Sequence, residues 1–291
     1  MPAPDRGCVA AADRLDVALV RRGLARSRGE ARDLVAAGHV VVDGVAADRP
    51  SLPVTAATPL AVTRQDRWVS RGGDKLVAAL DRFGVSGLGR RCIDVGASTG
   101  GFTQVLLARG ALVVVALDVG HGQLHPTLAA DPRVDAREGT SIRDVAPADL
   151  GGPAGLVVVD LSFISVRLVL AKVVDLLAAS GDLVVLVKPQ FEVGRHRLGK
   201  HGLVRKVNDR RDALESVVRA AAEHGLVVAG VAPSPVRGSA GNAEYLLWCR
   251  RSGFGLDRDE LAVAIGQAVG VPSRGASHVR TAPVEPASDQ T

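Results

Sequence analysis

The stretch DVGASTGGF, residues 94–102, decides how the rest of the chain is read. It follows the apolar run RCIDV and leads into an apolar helical pattern, giving a strand, a glycine-rich turn and a helix start in one line. Glycine permits a tight turn and close backbone approach to a ligand, while a helix N-terminus offers unpaired N–H groups. Eighteen residues past Gly100 a second strand, LVVVALD, ends on Asp118. A carboxylate at that place can accept hydrogen bonds from two ribose hydroxyls.

Three cofactors compete for such a loop. A nucleoside triphosphate wants G-x-x-x-x-G-K-[ST], and the lysine is missing; a dinucleotide wants G-x-G-x-x-G, where this chain has G-x-x-x-G-G. S-adenosylmethionine carries no pyrophosphate, tolerates the looser glycines and still needs the ribose acid. The candidate cofactor residues are therefore Gly96, Ala97, Ser98, Thr99, Gly100, Gly101, Phe102 and Asp118, with Asp160 beside them. The plain alternative is a glycine turn that only packs helix on strand. A nicotinamide oxidoreductase is disfavoured by the spacing.

Outward from this loop, strand-like runs (RCIDV, LVVVALD, residues 133–137, LVVVDL, LVVLVK, LVVAGVA, AEYLLWC) are separated by helical patterns, notably residues 166–179 and 209–224. Alternation of this kind predicts an α/β, doubly wound, Rossmann-like domain with a mostly parallel seven-stranded sheet. The last run follows only a loop, so it is free to return antiparallel. Leu76, Ala79, Leu80 and Phe83 mark the helix before the first strand, ended by Gly84, and residues 257–269 form a terminal helix. A separate small α+β domain precedes all this. Leu15, Ala18 and Leu19 give one helix, Ser27 and Glu30 a capping box for the next, and HVVV a strand before a turn at Asp43 and Gly44. The expected boundaries are a flexible start at 1–13, the small domain at 14–62, a linker at 63–73, the large domain at 74–270 and a disordered Pro/Ser/Ala-rich tail at 271–291.

Composition narrows the function classes. The longest apolar stretch, residues 111–117, is far shorter than the roughly 20 residues of a membrane helix, and no secretory leader opens the chain. The three cysteines, Cys8, Cys92 and Cys249, have no metal or disulfide spacing, which points to a reducing cytoplasm. A net charge of +5, with only five lysines among 36 basic residues, suits phosphate recognition by arginine. A general preference for arginine explains the bias equally well.

Ligands of an open parallel sheet gather beyond the carboxyl ends of its strands. Asp160 and Lys188 end two successive strand runs, Glu244 opens the last, and Lys75 opens the helix before the first. Each alone reads as a solvated charge. Together, two amines and two carboxylates around a cofactor crevice suit proton transfer.

GASTGGF, VVDLSFIS, LVKPQFEVG and GNAEYLLW, in that order, resemble the TlyA (hemolysin A) family of RNA ribose methyltransferases, whose methyltransferase domain is FtsJ-like. RLDVALVRRGLARSRGEARDLVAAGHVVVDG resembles the S4-like RNA-binding domain first recognised in a ribosomal small-subunit protein. The resemblance covers residues 14–270. It implies a catalytic Lys–Asp–Lys–Glu tetrad on Lys75, Asp160, Lys188 and Glu244, S-adenosylmethionine as donor, and the 2′-hydroxyl of a cytidine in small- or large-subunit rRNA as acceptor. Three departures stand out: His121 in DVGHGQL, Pro126 at a usual helix start, and EGTSIR at residues 138–143.

RNA contacts are expected from Arg21, Arg22, Arg26, Arg28 and Arg32 in the small domain, partly offset by Glu30 and Asp33. A second basic patch, GRHRLGKHGLVRK, supplies Arg195, Arg197, Lys200, Arg205 and Lys206 with no acid in the segment. The partner is then rRNA or a ribosomal subunit, no membrane is engaged, and a monomer is expected. Two rivals remain: a non-catalytic RNA-binding or assembly factor, and a membrane-lytic protein, which neither a spanning segment nor an amphipathic anchor supports.

Overall fold

The computed structural model describes residues 12–25, 27–36, 38–63, 67–238 and 240–270. Arg26, residues 1–11 of the expected flexible start, residues 64–66 of the expected linker and the tail at 271–291 lie outside them.

In the small domain, α1 (Leu15–Arg21) and α2 (Arg28–Ala36) pack through Leu15, Ala18, Leu19, Ala31, Leu34 and Val35, all buried. Ser27 Oγ accepts the Glu30 N–H at 3.2 Å, satisfying one orphan donor of the helix start. β1 (Asp13–Arg14) pairs with β4 (Pro53–Val54), and β2 (Val40–Val42) pairs with both β3 (Val45–Ala46) and β5 (Leu60–Val62), all antiparallel.

The large domain begins earlier than the composition suggested. Trp68 is buried in its core and lies so close to Gly73 that a Cβ there has no room. Helix α3 (Gly72–Phe83) starts inside the expected linker. From there the chain runs β6 (Arg91–Val95), α4 (Gly101–Ala108), β7 (Val113–Leu117), α5 (Pro126–Ala129), β8 (Val134–Arg137), β9 (Ala154–Val159), α6 (Leu170–Asp175), β10 (Leu177–Val187), α7 (Pro189–Glu192), α8 (Val207–Glu223), β11 (Val227–Pro233), β12 (Tyr245–Arg250) and α9 (Arg258–Val269). The sheet order is β11-β12-β10-β9-β6-β7-β8, and only β12 runs antiparallel to its neighbours.

Strand side chains alternate between two cores, as the period of two requires. Ile93, Val157, Val159, Val185 and Val187 join α6, α8 and α9, while Cys92, Leu156, Val158, Val184 and Leu186 join α3 and α4. The result is a three-layer α/β sandwich built from aliphatic residues, each fully buried leucine or valine contributing about 1.5–3 kcal/mol. One expectation fails. The helix expected over 166–179 is a 3₁₀ turn at Val166–Leu168 followed by α6, and the chain enters β10 at Leu177. Leu177 pairs with Ala154, and a bulge between Leu177 and Asp182 absorbs the glycine–serine segment before the apolar run resumes. Sheet pairing overrides the helical propensity of the alanines.

Candidate active site

β6 and β9 are neighbours, yet the chain leaves them toward opposite edges of the sheet, which opens a crevice at their carboxyl ends. Backbone hydrogen bonds sew the strand ends together: Gly96 and Ala97 donate to Leu117 O at 2.8 and 3.1 Å, and Asp160 donates to Val95 O at 3.0 Å. Gly96 has φ 88°, and a Cβ there would lie 2.6 Å from the Asp160 carbonyl oxygen. Only glycine lets the loop rest directly on the Asp160 backbone.

Beyond this junction lies a cavity of about 930 Å³. Lys75, Asp160, Lys188 and Glu244 all line it. Lys188 Nζ stands 2.6 Å from Asp160 Oδ1 and donates to Ser162 Oγ at 2.9 Å; Lys75 Nζ donates to Glu244 Oε2 at 2.6 Å. Lys75, Lys188 and Glu244 are buried. Desolvated charges persist only when paired, so the four groups form two mutually dependent pairs. Four non-glycine residues among those described have left-handed backbone, and three of them, Ser98, Phe163 and His201, line this cavity. Backbone strain of that kind concentrates at functional sites.

Of the expected cofactor residues, Gly96, Ala97, Ser98, Thr99, Gly101, Phe102 and Asp160 line the cavity; Gly100 and Asp118 do not. Gly100 lies against Leu124 and Leu128 instead. Asp118 accepts the Ser98 N–H at 2.8 Å and the Gly120 N–H at 2.7 Å, one on each oxygen. A carboxylate has further lone pairs, so these bonds leave acceptor capacity for hydroxyls. The segment after Asp118 folds back over this end, with Ser98 Oγ 3.3 Å from Gln123 Oε1. Glu138 straps that segment down by accepting the N–H groups of Gly122, Gln123 and Leu124, which hold its carboxyl below the usual range.

The three departures have local explanations. The His121 imidazole occupies the space that a Cβ on Gly139 would need. Pro126 does not interrupt a helix; it is the first residue of α5, where a missing N–H costs nothing, and His125 caps it. Ser141 caps a 3₁₀ turn by accepting the Arg143 N–H at 3.2 Å.

The basic residues divide. Arg195 lines the cavity. Arg197, contrary to the expectation of an acid-free patch, pairs with Asp212 at 2.6 Å and Asp209 at 3.6 Å on α8, whose acids sequence distance had hidden. Lys200, Arg205 and Lys206 are exposed. In the small domain Arg21 pairs with Asp13. Arg22 is absorbed by the carbonyls of Thr55, Ala56 and Thr58 at 2.6–3.0 Å. Arg28 and Arg32 reach Asp16, while Asp33 is spent on Arg71 at 2.6 Å and offsets neither.

Several residues of the site escaped notice in the sequence. Ser162 completes the hold on Lys188. Glu192, buried, accepts from Ser165 Oγ at 2.5 Å, Val166 N–H at 2.9 Å and Arg167 Nε at 3.0 Å, bracing the loop after β9 against α7. Asn242 accepts from the Val204 N–H and donates to Gly202 O, tying the basic loop to the segment that carries Glu244. Asp94, fully buried beneath the glycine loop, accepts from Thr103 Oγ1 at 2.7 Å, and burial pushes its carboxyl up to about 7. Ser162 and Glu192 sit inside the quoted motifs, so their only signal was proximity to Asp160 and Lys188. Among the described residues no cluster of His, Cys, Asp or Glu could hold a metal ion.

Residues 68–251 match the family model of FtsJ-like methyltransferases, and residues 13–58 match the S4 domain. The chain belongs to the FtsJ-like methyltransferase family. Within it, this FtsJ-like enzyme is 51% identical over 239 residues to the 16S/23S rRNA (cytidine-2′-O)-methyltransferase TlyA of Mycobacterium tuberculosis, a match spanning 81% of this chain and 89% of that one. It is 36% identical to Hemolysin A of Brachyspira hyodysenteriae, across 80% of this chain and 98% of that one. A solved structure described as a hemolysin from Streptococcus thermophilus superposes with a TM-score of 0.71 at 37% identity, covering 90% of this chain and 96% of the other. The TlyA, or hemolysin A, resemblance therefore holds over most of the length. No helix among the described residues of this FtsJ-like methyltransferase is long and apolar enough to cross a membrane.

Proposed function

We propose that the protein methylates the ribose 2′-hydroxyl of a cytidine in rRNA of the small subunit, the large subunit or both, with S-adenosylmethionine as donor. The observation that supports this best is Lys188, held between Asp160 and Ser162 and facing the same cavity as the glycine loop and the Lys75–Glu244 pair. The donor fits the lining: Gly96 admits no side chain, and Ser98, Thr99, Gly101 and Phe102 surround the crevice at the start of α4.

When bound, S-adenosylmethionine supplies a methyl group activated by a positively charged sulfur. The protein's part is to align the ribose oxygen and manage its proton, and alignment alone carries much of the rate. Lys188 Nζ either takes the hydroxyl proton as the neutral amine, once its own ammonium proton has passed to solvent, or lowers the pKa of that hydroxyl as the ammonium paired with Asp160; Ser162 fixes the direction of Nζ. Lys75 and Glu244, paired with each other, complete the network of charges on the same cavity. RNA is drawn in by Arg195 in the cavity lining, by the exposed Lys200, Arg205 and Lys206, and by Arg28 and Arg32 of the small domain, whose side chains stay about half exposed.

The test is transfer of labelled methyl to purified ribosomal subunits, with primer extension to find the modified ribose. The wild type labels one or few 2′-positions. Lys188→Ala is expected to lose ~10²–10⁴-fold in kcat while donor binding, measured by calorimetry, stays near normal. Near-normal turnover in that variant overturns the assignment of Lys188, and absence of any rRNA labelling by the wild type overturns the substrate.

A further inference from the structure

Asp16, near the start of α1, is fully buried, and three arginines from two other elements close on it. Arg14 on β1 donates from Nε to Oδ1 at 3.0 Å and from Nη2 to Oδ2 at 3.4 Å. Arg28 Nη2 and Arg32 Nε, one turn apart on α2, both reach Oδ2 at 3.1 and 3.2 Å. These arginines drive the Asp16 carboxyl down to about 2, against the opposing effect of burial.

A buried carboxylate needs one guanidinium fork, and Arg14 alone supplies it. Arg28 and Arg32 are surplus to that requirement. Gathering three like charges around a single acid costs energy by mutual repulsion. Yet the three side chains remain 49%, 53% and 55% exposed, so most of their N–H donors face solvent. Three guanidiniums on one buried carboxylate give the cluster a formal charge of +2 and hold it in place. Free surface arginines would have to give up rotamer freedom on binding a ligand; these have already done so.

We infer that Asp16 is the organising anion of an RNA-phosphate clamp, fixing Arg14, Arg28 and Arg32 as one set of forks aimed at neighbouring phosphates of the substrate RNA. The inference rests on the rRNA-methylating function proposed above and adds to it a positioning residue whose sign is unexpected. Simple electrostatics says that deleting an acid from a basic surface strengthens RNA binding. An organising acid does the opposite.

The experiment measures filter-retained binding of the full chain to transcribed small- and large-subunit rRNA across a salt series. Asp16→Asn is compared with Asp48→Asn, which removes the same charge from an exposed site of the small domain. Asp16→Asn is expected to bind at least ~10-fold more weakly than wild type, and Asp48→Asn to bind equally or slightly more tightly. Because Asp16→Asn also disturbs a buried group, Arg28→Gln and Arg32→Gln are measured beside it; both leave the Arg14–Asp16 fork in place. Each is expected to weaken binding several-fold and to flatten the slope of log K against log salt by about 0.7–0.9. If Asp16→Asn binds as tightly as wild type, or if neither arginine variant changes affinity or slope, the clamp is refuted and the arginines serve only to neutralise Asp16. If the wild type itself shows no salt-dependent rRNA binding, the proposed substrate fails first.

Discussion

Neutralising Glu244 separates what the second ion pair does for folding from what it does for chemistry. Lys75 Nζ and Glu244 Oε2 stand 2.6 Å apart with side chains 10% and 3% exposed. At an effective dielectric of about 20, the attraction at that distance is about 6 kcal/mol, and desolvation takes back several kcal/mol per ion. The pair itself therefore contributes little net stability, whereas one partner left alone is an unpaired buried charge costing about 3–5 kcal/mol. Glu244→Gln keeps the volume, which matters because Gly238 lies against Oε1 with no room for a Cβ. Urea unfolding should show Glu244→Gln and Lys75→Met each destabilised by about 3–5 kcal/mol, and the double variant within about 1–2 kcal/mol of wild type. Methyl transfer should be lost in all three. A single variant within about 1 kcal/mol of wild type would show that the ammonium is not desolvated, and a double variant with normal turnover would remove the pair from the catalytic machinery.

Glu192→Gln should leave RNA KM unchanged and lower kcat by ~10²-fold, because it loosens the brace between the Asp160 and Lys188 loops, and misplacement of about an ångström costs that much; unchanged kcat in steady-state assays would show the brace to be idle. Gly96→Ala should destabilise by about 2 kcal/mol or more, from left-handed φ and the 2.6 Å approach to Asp160 O, and abolish donor binding in calorimetry. Asp94 is raised from 3.8 to about 7, so the stability it confers is fully present below the lower value and is lost as pH rises through the upper. The loss is on the order of 4 kcal/mol between about pH 4 and 7, and Asp94→Asn should remove this slope from denaturation midpoints taken across that range.

The sequence carried the large domain well because its strands are short aliphatic runs bounded by glycines and acids. Asp160, Lys188 and Glu244 were visible for the same reason: each interrupts an apolar run at its edge. What stayed hidden depended on pairings between distant segments. The alanines at 178 and 179 read as helix until Leu177 is set beside Ala154. Arg22 read as an RNA contact until its carbonyl partners at 55–58 are brought alongside, and Arg197 until α8 places Asp209 and Asp212 under it. Asp118 was recognised as an acid at a strand end, but the two amides that occupy it come from the turn geometry of Ser98 and Gly120.

Because Trp68 is sunk into the large domain, almost nothing is left to separate the two halves of the chain. From Thr63, the last described residue of the small domain, to Arg67 is four steps, a leash of at most ~14 Å. Arg71 and Asp33 shorten even that by clasping one half to the other. On the proposed function, a small half tethered this closely limits how far from its own RNA contact a ribose can lie and still reach the cavity, so position along the RNA is selected by distance as well as by the chemistry of the nucleotide.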